Sequence, residues 1–198
     1  MKIIHFASFI EGYLDEFFVK EVLKGFAKSS NPEIIFNRHK KLVPFKGGSK
    51  NRPKVIAGLS QLSLEMAIEN KTAKDPHLFI SGIDSDGDDY EQLLAMLIKE
   101  IHAIAEKITI IFVSVRDIET WAEYLLKPKE IAGRLDRGSS KDRIYQNGKS
   151  TRENAEKVIA ELRSKSCFSK ESLFHLTTQS PSFAHFHQQI TTFLQNIS

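Results

Sequence analysis

Three acidic groups in the chain could do chemistry together. Glu11 is followed by Asp15 about one helical turn later, Asp84 and Asp86 lie in Ile83-Asp84-Ser85-Asp86-Gly87-Asp88-Asp89, and Asp117 and Glu119 follow an apolar run. Carboxylates brought together repel one another unless they are protonated or neutralised by cations. Hard oxygen donors of this kind suit Mg²⁺ or Mn²⁺, which keep open positions for water and phosphate oxygens. Not every acid here needs that chemistry. Asp88, Asp89 and Glu91 stand where a helix should begin, and a helix N-terminus favours negative charge. Asp84 and Asp86 also have a turn reading, because Asp-Gly is common turn chemistry. An EF-hand is not expected: Asp84, Asp86 and Asp88 have its opening spacing, but the glycine comes too early and Ala95 holds the twelfth position.

The surrounding pattern gives the acids a common place. Residues 2–10 are rich in Ile and Phe and read as a buried strand closed by Glu11-Gly12. Residues 13–28 follow with Leu14, Phe17, Phe18, Val22, Leu23 and Phe26 at helical spacing. Short strands are expected at 34–36 and 77–83, and the plainest one at 108–115, nearly all β-formers. Helices are expected from about 53 to 70, over 90–107 with Leu93, Leu94, Leu97, Ile98, Ile101 and Ile104 inward, and over 118–126. Strands alternating with helices predict an α/β fold, a mostly parallel four-stranded sheet flanked by helices. Such a sheet places its site outside the carboxyl ends of its strands, where all three acidic groups fall. Residues 127–150 form a polar stretch too long for an idle connection. Helices over 151–164 and 181–197 complete a helical C-terminal extension, the latter with Phe183, Phe186, Ile190, Phe193 and Leu194 on one face.

Composition narrows the classes. With 198 residues, 41% hydrophobic and 27% charged, the chain can bury one full core and is neither disordered, collagenous nor coiled coil. The net charge of +3 is too small to argue for nucleic acid by itself, so its distribution has to decide. Cys167 is alone, and no Cys/His cluster stands at zinc spacing, so a cytoplasmic setting is expected. No apolar run approaches the ~20 residues of a membrane helix, and His5 and Glu11 interrupt any leader-like start.

Phe9-Ile10-Glu11-Gly12-Tyr13-Leu14-Asp15 resembles the strand-Glu-Gly turn that opens TOPRIM domains. Ile83-Asp84-Ser85-Asp86 is similar to their strand-ending Asp-x-Asp. Val115-Arg116-Asp117-Ile118-Glu119-Thr120-Trp121 resembles the Arg-x-x-Glu-x-Trp signature of small stand-alone TOPRIM-like proteins related to the OLD-family nucleases, and Ser180-Pro181-Ser182-Phe183 a recurrent motif near their C-termini. The motifs occur in the expected order, between residue 2 and about residue 194. Asp15 stands where relatives more usually carry Glu, Glu123 where an apolar residue is expected, and Lys127 where the pattern has a later Asp. The resemblance implies a TOPRIM/Rossmann-like core over 1–126, with 127–198 packed on it as a basic loop and helical extension. It also implies a metal-dependent nuclease with Mg²⁺ or Mn²⁺, in which Glu11, Asp84 and Asp86 are catalytic and metal-binding. Asp15 and Glu119 would hold a second ion or its waters. Lys141 is the candidate for stabilising the scissile phosphate, with Lys149 second. The partner implied is a separate ABC-type ATPase, often in antiphage defence.

Charge distribution fits a nucleic-acid backbone. Seven Lys or Arg lie between 34 and 54, among them Lys46, Lys50 and Arg52, with no acid. Residues 127–152 carry eight Lys or Arg against three acids. These segments would form a basic rim around an acidic centre; the bland alternative is that the lysines solvate loops. Gly47-Gly48 lacks the Walker spacing, so no ATP hydrolysis is expected of this chain by itself. Arg116 is a candidate for substrate contact or for orienting Asp117 or Glu119. Trp121 reads first as core and second as a base-stacking platform. His185 and His187 are two apart, wrong for one helix face. Two functional classes stand in front: the nuclease, acting on DNA or RNA, and a non-catalytic TOPRIM-fold module for assembly or nucleic-acid binding. Another α/β phosphotransfer protein, such as a receiver domain, ranks behind them, because a single Glu rather than paired acids ends the first strand. A homo-oligomer is compatible with either.

Overall fold

The computed structural model describes residues 1–30, 33–39, 51–131, 140–145 and 151–197. Four parallel strands, β1 (Lys2–Ile10), β2 (Ile34–Arg38), β3 (His77–Asp84) and β4 (Thr109–Ser114), form one sheet in the order β2-β1-β3-β4. Between and after them run α1 (Tyr13–Ser30), α2 (Arg52–Thr72), α3 (Tyr90–Glu100), a 3₁₀ segment (Ala103–Ile108), α4 (Ile118–Leu126), α5 (Pro128–Ile131), α6 (Lys141–Ile144), α7 (Arg152–Ser164), α8 (Lys170–Gln179) and α9 (Pro181–Ile197). All residues of β3 and β4 are buried, as expected of parallel strands covered on both faces.

The two-residue period of the strands sorts the core. Ile4, Phe6, Ile10, Leu78, Ile80, Ile110 and Phe112 face a layer that includes residues of α1, α4, α7, α8 and α9. Ala7, Phe9, Phe79, Ile83, Ile111 and Val113 face α2 and α3. The chain therefore leaves β1 on one face and returns to β3 from the other. Between those adjacent strands the order reverses, which opens a crevice at their carboxyl ends. Glu11 follows β1 there and Asp84 ends β3.

Trp121 belongs to the core. It is 1% exposed, its ring centre lies 5.1 Å from Phe183 and 5.9 Å from Phe112, and its Nε1–H donates to Ser180 Oγ at 3.1 Å. The Ser-Pro-Ser-Phe motif is thus the seat of the tryptophan. On edge strand β4, the Gln189 amide of α9 accepts from Ile111 N at 3.0 Å and donates to Ile111 O at 2.6 Å, occupying backbone groups that an edge would otherwise expose.

The structure departs from the sequence reading in three places. The helix expected over 90–107 ends at Glu100: Ile101 turns extended, and His102 caps the 3₁₀ segment by accepting from Ile104 N. Ile98 and Ile104, expected inward, are 49% and 44% exposed. Helix α8 has no counterpart in the reading, although Ser169 caps it and Leu173 and Leu176 are its buried positions. The stretch 127–150, expected as a loop, contains the short helices α5 and α6, and Tyr145 beside α6 is fully buried.

Candidate metal centre at the strand ends

The turn after β1 is built so that two acids can approach. Gly12 N donates to Asp15 Oδ2 at 3.0 Å, and a Cβ at Gly12 would stand 3.0 Å from Asp15 Oδ1. Glycine therefore lets the Asp15 carboxylate fold back over the turn beside Glu11. The turn after β3 reads Asp84-Ser85-Asp86-Gly87, with Asp86 at φ 51° and Gly87 at φ 99°. Left-handed backbone is tolerated by Asp and open to Gly. This turn is stitched to the one after β4: Ser85 N donates to Ser114 O, Asp86 N to Arg116 O, and Arg116 N to Ser85 Oγ at 2.9 Å.

Glu11, Asp15, Asp84, Asp86, Glu119 and Lys141 are brought to one place. Asp84 N donates to Glu11 Oε2 at 3.1 Å, while Ser114 Oγ donates to Asp84 Oδ1. Lys141 Nζ lies 3.5 Å from Asp84 Oδ2 and 4.0 Å from Asp86 Oδ1. Glu119, 2% exposed in the first turn of α4, accepts from Tyr145 OH at 2.7 Å, and its second oxygen, Oε2, is buried with no hydrogen-bond partner. Arg52, at the start of α2, donates to Asp84 O at 2.7 Å, to Asp86 Oδ2 at 3.2 Å and to Asp88. Arg116 lays its guanidinium against Gly87. Lys46, Lys50 and Lys149 lie outside the described residues.

Burial and mutual repulsion leave Glu11, Asp15, Asp84 and Glu119 reluctant to ionise. Burial, followed by Glu119, pushes the Asp15 carboxyl up to about 7. Burial, then Asp15 and Glu119, holds Asp84 well above the usual carboxylate range. Glu119 is raised by burial and by Asp117, and Glu11 by burial against the opposing Asp84 N–H. Burial disfavours the Lys141 ammonium, but Asp84, Glu119, Asp117 and Asp86 outweigh it and raise its pKa. The donor set fits a divalent cation: hard oxygens, raised proton affinity and one orphaned buried carboxylate oxygen are what such an ion would relieve.

Other acids of the motifs have structural duties. Asp117 caps α4 by accepting from Thr120 N at 3.0 Å and Thr120 Oγ1 at 2.8 Å. Asp89 caps α3 through Gln92 N. The sequence reading missed the group that places Lys141. Glu123 accepts from Ser140 Oγ and from Arg143 Nε at 2.8 Å, so the residues flanking Lys141 are pinned to α4. One signal was available: Glu119 and Glu123 are four apart and share a helix face.

No described helix is long and apolar enough to cross a membrane. Comparison with protein-family models, curated proteins and solved structures finds no match to this chain.

Proposed function

We propose that this chain is a divalent-metal-dependent nuclease of TOPRIM type, hydrolysing phosphodiester bonds of DNA or RNA and working beside a separate ABC-type ATPase subunit. One observation carries the reading: carboxylates from the ends of β1, β3 and β4 converge with Lys141, and one buried oxygen, Glu119 Oε2, has no partner. Glu11, Asp84 and Asp86 would hold Mg²⁺ or Mn²⁺, with Asp15 and Glu119 behind them. The ion would supply Lewis-acid polarisation of a phosphate oxygen and a lowered pKa for an attacking water. Glu11, half-buried with raised proton affinity, would accept that water's proton. Lys141, its ammonium favoured by the surrounding acids, would neutralise charge growing on the phosphate. The ATPase and a role in antiphage defence follow from the motif resemblance.

The non-catalytic reading draws on Arg52 and Lys141, which already ion-pair with Asp84, Asp86 and Asp88. Single- and double-stranded DNA and RNA, incubated with Mn²⁺ or Mg²⁺, separate the two. Cleavage should fall on the order of 10²–10³-fold in Asp84→Asn and Glu11→Gln. Metal binding by calorimetry that is lost in Asp84→Asn, without cleavage of any substrate, favours the assembly module. Absence of both cleavage and metal binding overturns the site.

A further inference from the structure

A second cluster lies on the face of the sheet covered by α2. His5 pairs in register with His77 of β3 and with Asn37 of β2, and the ladder continues as His39 N donates to Phe6 O at 2.7 Å. Alternation therefore puts His5 of β1, His77 of β3 and His39, one residue past β2, on one face. Glu69, near the end of α2, meets them from above: its Oε2 lies 2.8 Å from His39 Nε2. One ligating atom each from His39, Glu69 and His77 lies within 4.8 Å of the others. The His39 and His77 ring centres are 4.9 Å apart, and that of His5 is 5.8 Å from His77.

An independent observation points to a ligand. His77 is 6% exposed, and its Nδ1 is buried with no hydrogen-bond partner. A buried imidazole nitrogen without a partner calls for a donor or a metal. We infer that His39, Glu69 and His77 form a Zn²⁺ site, separate from the carboxylate centre, with water or His5 completing the coordination. Two imidazoles and a carboxylate are a recognised zinc donor set, and tetrahedral zinc with ~2.1 Å bonds needs ligand atoms about 3.4 Å apart. The cluster therefore has to close by side-chain rotation on the order of 1 Å. His77 precedes Asp84 by seven residues of one strand, roughly 23 Å, so the two centres do not share ligands. Bound zinc would tie the end of β2 and the start of β3 to the end of α2 as a structural clip.

The test is a Zn²⁺ titration of the chelator-treated full chain, read by calorimetry and by the histidine ring ¹⁵N resonances. One Zn²⁺ should bind in Asp84→Asn as in the wild type, shifting the His39 and His77 ring signals. Affinity should drop at least ~100-fold in His39→Ala and in Glu69→Gln. Glu69 is partly exposed, so its glutamine variant keeps the fold even if a His77 replacement does not. The assignment is overturned if no Zn²⁺ binds, if binding disappears in Asp84→Asn, or if it is unchanged in Glu69→Gln and His39→Ala.

Discussion

Glu21 and Glu123 expose as little surface as Asp15, Asp84 and Glu119, all at 7% or less, but they lie nearer the surface, beside half-exposed arginines, and their carboxyls shift in the opposite direction. Burial penalises every one of these carboxylates. At Glu21, hydrogen bonds from Arg163 at 2.7 Å and Lys24 at 2.7 Å outweigh it and hold the pKa down. At Glu123, Arg143 and Ser140 do the same. At the strand ends, each acid has other acids as neighbours, and Lys141 alone of the described lysines reaches Asp84. Buried acids with dedicated partners hold elements together, as Glu21 holds α1 to α7. Buried acids assembled against each other raise the energy of the ion-free state, and a cation would recover that energy.

The largest expected difference between the two sets is in how stability depends on pH. Folded Asp15 keeps its proton up to about 7, whereas an unfolded aspartate releases it near pH ~4. Across that window the folded state binds more protons, so stability falls as the pH rises from about 4 to about 7 and stays low above it. For Asp15 alone the loss is on the order of 4 kcal/mol. Denaturant melts at pH 5 and pH 8 should show it, Asp15→Asn should flatten it, and millimolar Mg²⁺ should restore stability at pH 8 but not at pH 5. A wild type equally stable at both pH values would erase the contrast with Glu21 and Glu123.

Glu123 tests whether a partnered acid supports the unpartnered ones. Removing its carboxylate in Glu123→Ala leaves Ser140 and Arg143 without their acceptor and should cost about 1.5–3 kcal/mol. The same change frees the segment that carries Lys141, so any phosphodiester cleavage should fall with it while metal binding at Glu11 and Asp84 persists. Loss of stability with full cleavage would show that Lys141 needs no anchoring from α4.

The strands and most of the helices could be read from the sequence because β1, β3 and β4 are apolar runs ended by acidic turns, and α1 and α9 keep a clean helical period. Glu11, Asp84 and Glu119 were legible for the same reason: strand ends of a parallel sheet converge whatever the loops do. What was hidden depends on contacts between distant residues. Ile98 looks like a core position until α3 stops at Glu100. Helix α8 has few apolar residues and shows little period. The pinning of Lys141 by Glu123 spans a stretch whose composition reads as loop. The histidine cluster is drawn from residues 5, 39, 69 and 77, a spacing that matches no local zinc motif and becomes visible only through strand register.

The smallest expected effect is at Glu21, and its sign matters more than its size. Glu21→Gln keeps the shape and one acceptor oxygen while removing the charge that faces Lys24 and Arg163, both about half exposed. Ion pairs with exposed partners are worth about 0.2–1 kcal/mol, so the variant should lose no more than that at pH 7 and keep any cleavage intact. Folded Glu21 has a depressed pKa, so its contribution is present above the unfolded value of ~4.3 and disappears as the pH falls through the folded one. Wild type and variant should therefore converge at acid pH, the reverse of the Asp15 pair, which should converge where the wild-type carboxyl is protonated and diverge as the pH rises. If Glu21→Gln instead gained stability at pH 7, burial would dominate at Glu21 as well, and partners would not be what separates the two sets of acids.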